Sequence, residues 1–175
     1  LGHSVFQQKL GFNIPEEEKL IVNQILKTAY QGTKNSSKDT FNSAHALAED
    51  LGATFYHWTI DEEVNSYQQK IEKAVGRPLT WERDDITLQN IQARTRSPSI
   101  WMLTNLDRYL LLSTSNRSEG DVGYATMDGD TSGSISPIAA IDKALVLKWL
   151  RYAEEHLKIE GLKMVNSLQP TAELR

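Results

Sequence analysis

Apolar positions along the chain alternate between helical and extended spacing, the pattern of a parallel sheet with helices on its faces rather than of an all-α or all-β domain. After Pro15 three glutamates open a segment from Glu16 to Gln24 suited to the positive end of a helix. The short apolar stretch Ile25 to Tyr30 then reads as a strand. Gly32 to Ser37 is a polar turn, Asp39 can cap the next helix, and Phe41, Ala44, Ala48 and Leu51 recur at helical spacing up to a stop at Gly52. The β-branched and aromatic run Thr54 to Ile60 predicts the next strand. Asp61 to Gly76 predicts a helix with an acidic start and a glycine stop, giving a βαβα order.

A longer helical pattern runs from Asp84 to about Leu106, with Pro98 expected to kink or break it. Tyr109 to Thr114 reads as a strand, Ser115 to Pro137 as a long loop, and Asp142 to Leu157 as an amphipathic helix. The most informative stretch is LSTSNRSEGDVGYATMDGDTSGSISPIAAIDK, from Leu112 to Lys143. An apolar strand ends there in hydroxyl, amide, acidic and glycine-rich residues. In open α/β sheets ligands sit just outside the carboxyl ends of the strands, so a nucleotide site is expected at this place. A loop of this length is usually functional.

Composition narrows the classes without choosing among them. The 175 residues fit one domain, and 39% hydrophobic with 24% charged residues is ordinary for a globular protein. A net charge of −4 with no clustered Lys and Arg gives no footprint for nucleic acid. Without cysteine there is no disulfide framework, thiolate metal site or cysteine nucleophile, which leans toward a cytoplasmic protein and excludes a cysteine glutaminase within these residues. No stretch approaches the roughly 18 consecutive apolar residues that span a bilayer, so no membrane partner is expected. His3, His45, His57 and His156 are scattered, with no pair at zinc-ligand spacing.

Several side chains in the loop region carry candidate chemistry. Glu119, five residues past the predicted strand end, is placed either to hold Mg²⁺ between nucleotide phosphates or to cap a helix start, and spacing alone favours the cap. Thr114 either offers its hydroxyl to a nucleotide or merely ends the strand. Arg94 has the fork that grips phosphate or carboxylate, although a solvated helix arginine is the simpler reading. Lys143 begins a helix, where the dipole is unfavourable to a cation, and a bound polyphosphate would remove that conflict. Asp128, Asp130, Ser132 and Gly133 fall on the first, third, fifth and sixth positions of a calcium-binding loop. The twelfth position is Ala139 rather than glutamate and Pro137 interrupts the loop, so the match is poor.

The order strand, Thr-Ser-Asn, Ser-Glu, Gly-Tyr, Gly-Asp, Pro, Lys resembles the ligase domain of NAD synthetases, particularly the glutamine-dependent type. The resemblance extends through Gln31-Gly-Thr-Lys-Asn-Ser-Ser37, Asn90-Ile-Gln-Ala-Arg-Thr-Arg96 and Gln169-Pro-Thr-Ala-Glu-Leu174. It implies a Rossmann-like parallel sheet with flanking helices, of the adenine nucleotide alpha-hydrolase-like, ATP pyrophosphatase type. It also implies ATP-dependent amidation of nicotinic acid adenine dinucleotide (deamido-NAD), with ammonia from glutamine or solution. By the same resemblance Thr114, Lys143 and Thr171 contact ATP, Glu119 holds Mg²⁺, and Arg94, with Asn90 as a weaker candidate one turn earlier, contacts deamido-NAD. A homo-oligomer through a dimer along the Asp84 to Leu106 helix, and a glutaminase domain in cis, complete the implication.

Departures from the family pattern are equally specific. The family's Ser-Gly-Gly-x-Asp-Ser pyrophosphate loop has no counterpart in residues 1–175, so the expectation is an incomplete ligase domain that is inactive alone. Met127 stands where the ammonia-dependent enzymes have a substrate-contacting lysine, and Ser134 where they have an aspartate, so those two contacts do not transfer. A noncatalytic nucleotide-binding remnant and a calcium-binding module are the alternative readings.

Overall fold

The computed structural model describes residues 2–169 and 173. In chain order its elements are α1 (His3–Leu10), α2 (Glu18–Ile25), β1 (Lys27–Gly32), α3 (Lys38–Leu51) and β2 (Thr54–Thr59). They continue as α4 (Asp61–Val75), α5 (Trp81–Asp107), α6 (Arg117–Asp121), α7 (Lys143–Leu157) and α8 (Leu162–Ser167). The Thr54 N–H donates to the Leu26 carbonyl at 3.1 Å, and the Ile60 N–H to the Gly32 carbonyl at 3.0 Å. The offset is constant along both strands, so β1 and β2 form a two-stranded parallel sheet. An α/β fold with a parallel sheet and flanking helices is what the hydrophobic pattern predicts. Among the described residues no helix is long and apolar enough to cross a membrane.

The described residues group into two compact units, one built on residues 2–30, 37–57 and 150–169, the other on 31–36 and 58–149. In the first, α3 begins at Ser37, whose Oγ accepts the Thr40 N–H at 3.2 Å. Ser37, not the expected Asp39, is therefore the cap; Asp39 lies inside the first turn, where its charge favours the helix dipole. Phe41 on α3 meets Tyr30, Phe55 and His57 with ring centroids 5.3, 5.9 and 4.7 Å away, an aromatic layer on one face of the strands. Gly52 ends α3 at φ +76, and a Cβ there would lie 2.6 Å from the Lys19 carbonyl oxygen, so both conformation and space require glycine. Helices α1 and α8 are not foreseen by the hydrophobic pattern; both are short.

In the second unit α4 packs on α5, and Ile60 and Leu88 are its most buried large apolar side chains. The break expected at Pro98 does not occur. The departure from helical dihedrals falls instead at Asp84 (φ −121, ψ 24), where the Arg77 guanidinium and the Thr80 N–H fix the carboxylate. On either side of Pro98 the helix is held laterally, because Ser97 Oγ and Trp101 Nε1 each lie 2.7 Å from Ser132 Oγ. The strand predicted for Tyr109 to Thr114 is a second correction. This segment makes one parallel bridge, Leu112 to Ile135, and among the described residues it forms no longer strand, since its pairing stops at that bridge. The loop predicted from Ser115 to Pro137 likewise contains the short helix α6.

Candidate functional site

The site is built where the extended segment Leu111–Ser113 hands over to α6. The Ser113 N–H donates to the Ile135 carbonyl and the Ser134 N–H to the Leu111 carbonyl, each at 2.8 Å, which seats the 134–135 loop against the segment. Gly133 permits this approach, because a Cβ there would lie 2.6 Å from the Ser113 nitrogen. Thr114 comes next on the exposed side, between buried Ser113 and half-buried Ser115. Asn116, 5% exposed, then caps α6: its Oδ1 accepts the Glu119 N–H at 3.2 Å, and Glu119 Oε2 accepts the Asn116 N–H at 3.1 Å. This reciprocal pair satisfies two backbone donors that the helix start would otherwise leave open. The capping reading of Glu119 is thus literally present.

The second carboxylate oxygen of Glu119 faces the start of α7. Lys143 Nζ donates to Glu119 Oε1 at 3.4 Å, so the structure brings these two predicted site residues together. The pair also removes the electrostatic conflict that the sequence leaves open, since the carboxylate offsets the cation at a helix N-terminus. Two further ties join the same segments: the Lys143 N–H donates to Ser118 Oγ at 3.1 Å, and the Arg117 N–H to the Ile141 carbonyl at 3.0 Å. The Arg117 guanidinium in addition pairs with Asp142. Ser118, Arg117 and Asp142 are site residues that sequence reasoning missed. Their adjacency to Glu119 and Lys143 is the signal that could have found them.

Asn90 and Arg94, one turn apart on α5, are brought together on the neighbouring loop. Thr126 Oγ1 donates to Asn90 Oδ1 at 2.9 Å, and Arg94 Nε donates to the Met127 carbonyl at 3.0 Å. Gly129 lies close over Ala93: a Cβ there would meet the Ala93 carbonyl carbon at 3.0 Å, a tight contact. The Asp130 carbonyl accepts from Ser113 Oγ at 3.2 Å and from Ser115 Oγ at 3.3 Å, linking the loop to the start of the site. A recess of about 470 Å³ opens beside it, lined by Ser113, Ser115, Asn116, Gly120, Thr131 and Ser136 among others. A second recess, of about 320 Å³, lies at the carboxyl ends of β1 and β2 and includes Thr33, Lys34, Asn35, Asp61 and Gln92. The Lys34 N–H donates to Asp61 Oδ1 there at 3.1 Å.

Thr171, the remaining predicted contact, lies outside the described residues. The calcium-loop pattern does not assemble a ligand set. Asp130 Oδ1 accepts the Thr126 N–H at 2.8 Å, Asp128 sits in the left-handed region at φ 61, and no three His, Asp or Glu side chains converge among the described residues. For Mg²⁺ the demands are smaller, because that ion is commonly held by one or two carboxylates together with substrate phosphates. Glu119 meets them: it is half-buried, fixed in orientation by Asn116, and each of its oxygens has accepting capacity beyond the bond it already makes.

Comparison with known proteins gives a consistent picture. The family model described as NAD synthase matches residues 18–175. The chain is 37% identical over 150 residues to a glutamine-dependent NAD(+) synthetase of Aquifex aeolicus, covering 86% of this chain and 26% of that protein. Among solved structures, a glutamine-dependent NAD(+) synthetase from Cytophaga hutchinsonii superposes with a TM-score of 0.89 at 54% identity, over 99% of this chain and 32% of that one. A glutamine-dependent NAD+ synthetase from Acinetobacter baumannii, in complex with adenosine diphosphate, gives a TM-score of 0.73 at 25% identity, over 87% of this chain and 28% of that one. The chain spans about a quarter of the length of the curated relatives it matches.

Proposed function

The chain belongs to the NAD synthase family, and on that footing we propose that it forms part of the ligase portion of a glutamine-dependent NAD(+) synthetase. The reaction converts deamido-NAD to NAD⁺ in two steps. The nicotinate carboxylate attacks the α-phosphorus of ATP, forming a C–O–P bond and releasing pyrophosphate. Ammonia, from glutamine or from solution, then attacks the activated carbonyl carbon, AMP leaves, and loss of a proton from nitrogen gives the amide. No side-chain nucleophile is required. Catalysis of this kind rests on positioning and on neutralising charge as it develops.

The observation that carries this reading is the Glu119–Lys143 contact, a carboxylate and a cation fixed side by side at the end of an extended segment. Glu119 would hold Mg²⁺, which when bound neutralises polyphosphate charge. Lys143 and the exposed Thr114 hydroxyl bind ATP, with Thr171 as a further contact. Arg94 and Asn90 bind deamido-NAD, acting partly through the Thr126–Met127 loop that they hold. A cytoplasmic protein, a homodimer along α5, and a glutaminase domain in cis belong to the same proposal.

The test is NAD⁺ formation by the full-length gene product from deamido-NAD, ATP, Mg²⁺ and ammonium, then with glutamine replacing ammonium. Formation of NAD⁺ with stoichiometric AMP and pyrophosphate supports the reading. Absence of NAD⁺ with either nitrogen source overturns it.

A further inference from the structure

Four ties join residues 117–119 to residues 141–143, and they differ in kind. Glu119 and Lys143 are the groups that the proposed reaction uses. The Ser118–Lys143 bond is different, because it involves the Lys143 backbone N–H rather than the side chain. That N–H belongs to the first residue of α7, one of the donors a helix leaves without an intrahelical partner. A capping side chain reaches the second or third helical N–H rather than the first, so the acceptor for this one would ordinarily be water. Here it comes from Ser118, 25 positions earlier in the chain, at 3.1 Å.

Asp142, whose carbonyl accepts the Val146 N–H at 3.0 Å, stands at the capping position of α7. Its Oδ1 pairs with Arg117, and the Arg117 N–H in turn holds the Ile141 carbonyl. Residues 117, 118 and 119 thus engage residues 141 to 143 in register. Both segments contribute one group to the chemistry and the others to the clamp. Such a clamp fixes the Lys143 ammonium relative to the Glu119 carboxylate before any substrate arrives.

Resting on the function proposed above, we infer that Ser118 is a positioning residue for ATP: by capping α7 from α6 it sets the distance between Lys143 and Glu119, with the Arg117–Asp142 pair as a second tie. Ser118 touches no reacting atom in this role. An exposed ion pair such as Arg117–Asp142, with side chains about half accessible, contributes little by itself. The half-buried Ser118 bond therefore carries most of the effect.

The experiment uses the full-length protein and its Ser118→Ala, Ser118→Thr and Ser118→Cys variants. ATP binding with Mg²⁺ is measured by calorimetry without deamido-NAD, alongside steady-state kinetics for both substrates. Removing one hydrogen bond that sets geometry should weaken ATP binding about tenfold in Ser118→Ala and raise the KM for ATP in step, leaving the KM for deamido-NAD within about twofold. Ser118→Thr, which keeps the hydroxyl, should restore binding to near wild type. If Ser118→Ala fails to fold, Ser118→Cys carries the comparison, since it keeps the size and offers only a weak acceptor.

ATP affinity unchanged in the variant that lacks the hydroxyl overturns the inference, as does an equal loss for both substrates or a failure of threonine to restore binding. In each of these cases a wild-type protein that binds ATP and forms NAD⁺ leaves the functional proposal standing. A wild-type protein that does neither removes both.

Discussion

Lys143 Nζ lies 3.4 Å from Glu119 Oε1, while the other oxygen of the same carboxylate closes the capping box of α6. One side chain therefore makes two separate bonds, and a substitution can separate the cap from the role proposed above for its charge. Glutamine at this position keeps the capping geometry, because both Glu and Gln serve at the third helical residue. Glu119→Gln should fold normally and lower NAD⁺ formation by the full-length protein on the order of 100-fold through loss of the negative charge. Glu119→Ala should show the same catalytic loss and in addition destabilise the start of α6 by about 1 kcal/mol. Turnover at saturating ATP, read beside thermal melting, tests both. Full activity in Glu119→Gln would remove the metal-holding role.

Arg94 Nε donates to the Met127 carbonyl, and in the function proposed above the rest of the guanidinium meets the anionic substrate. Lysine keeps the charge and loses the fork. Arg94→Lys should raise the KM for deamido-NAD about tenfold, the scale of one charge-assisted hydrogen bond, and leave the KM for ATP within about twofold. Steady-state kinetics with each substrate varied in turn will decide this. A larger effect on ATP would reassign Arg94.

Much of this arrangement is legible in the chain itself. The strands, α3 with its stop at Gly52, α4 with its stop at Gly76, and α7 all emerge from spacing and end signals, which are local properties of the chain. Tyr109 to Thr114 has the composition of a strand, but strand formation needs a partner that local pattern does not reveal, and here the partner is a single bridge to Ile135. The cap of α3 is Ser37 rather than Asp39 because capping depends on where the helical turn begins, which shifts by a residue or two without changing the apolar pattern. The pairing of Glu119 with Lys143 is invisible to spacing, since 24 positions separate them. The family resemblance named both residues, and the fold brought them into contact.

Gly133 sits where the loop crosses the extended segment. In Gly133→Ala the new methyl would meet the Ser113 nitrogen at 2.6 Å, and backbone rather than a flexible side chain must yield. The expected cost is about 1–3 kcal/mol, with loss of the Ser113–Ile135 and Ser134–Leu111 bonds. Hydrogen exchange should show faster opening of the Ser113 and Ser134 amides in the variant. Unchanged protection would mean that the two segments are not held as described.

The Asp128 to Gly133 turn carries a negative prediction. Asp130 already accepts the Thr126 N–H through Oδ1, and the turn lacks a carboxylate at its twelfth position. Millimolar calcium should leave the melting temperature unchanged, since a ligand that binds only the folded form must raise it. Calcium-dependent stabilisation that disappears in Asp130→Asn would show that the turn binds the ion.

The last prediction concerns acid. Arg77 donates to both oxygens of Asp84 at 2.7 Å, and with the Thr80 N–H at 3.0 Å it holds the Asp84 carboxyl at about 2, against an ordinary 3.8. The folded value lies below the unfolded one, so the stabilisation is fully present above about pH 4. It is lost as pH falls toward 2, when the folded carboxyl takes up its proton. Because Asp84 is where α5 departs from helical geometry, the loss should be felt first at the start of that helix. Protection of the amides there should decline between pH 4 and 2 in the wild type. Asp84→Asn, which lacks the charge at every pH, should already be less protected at pH 5 and should converge with the wild type near pH 2. A gap between the two that stays constant across this range would show that the Arg77–Asp84 pair does not control the acid response of α5.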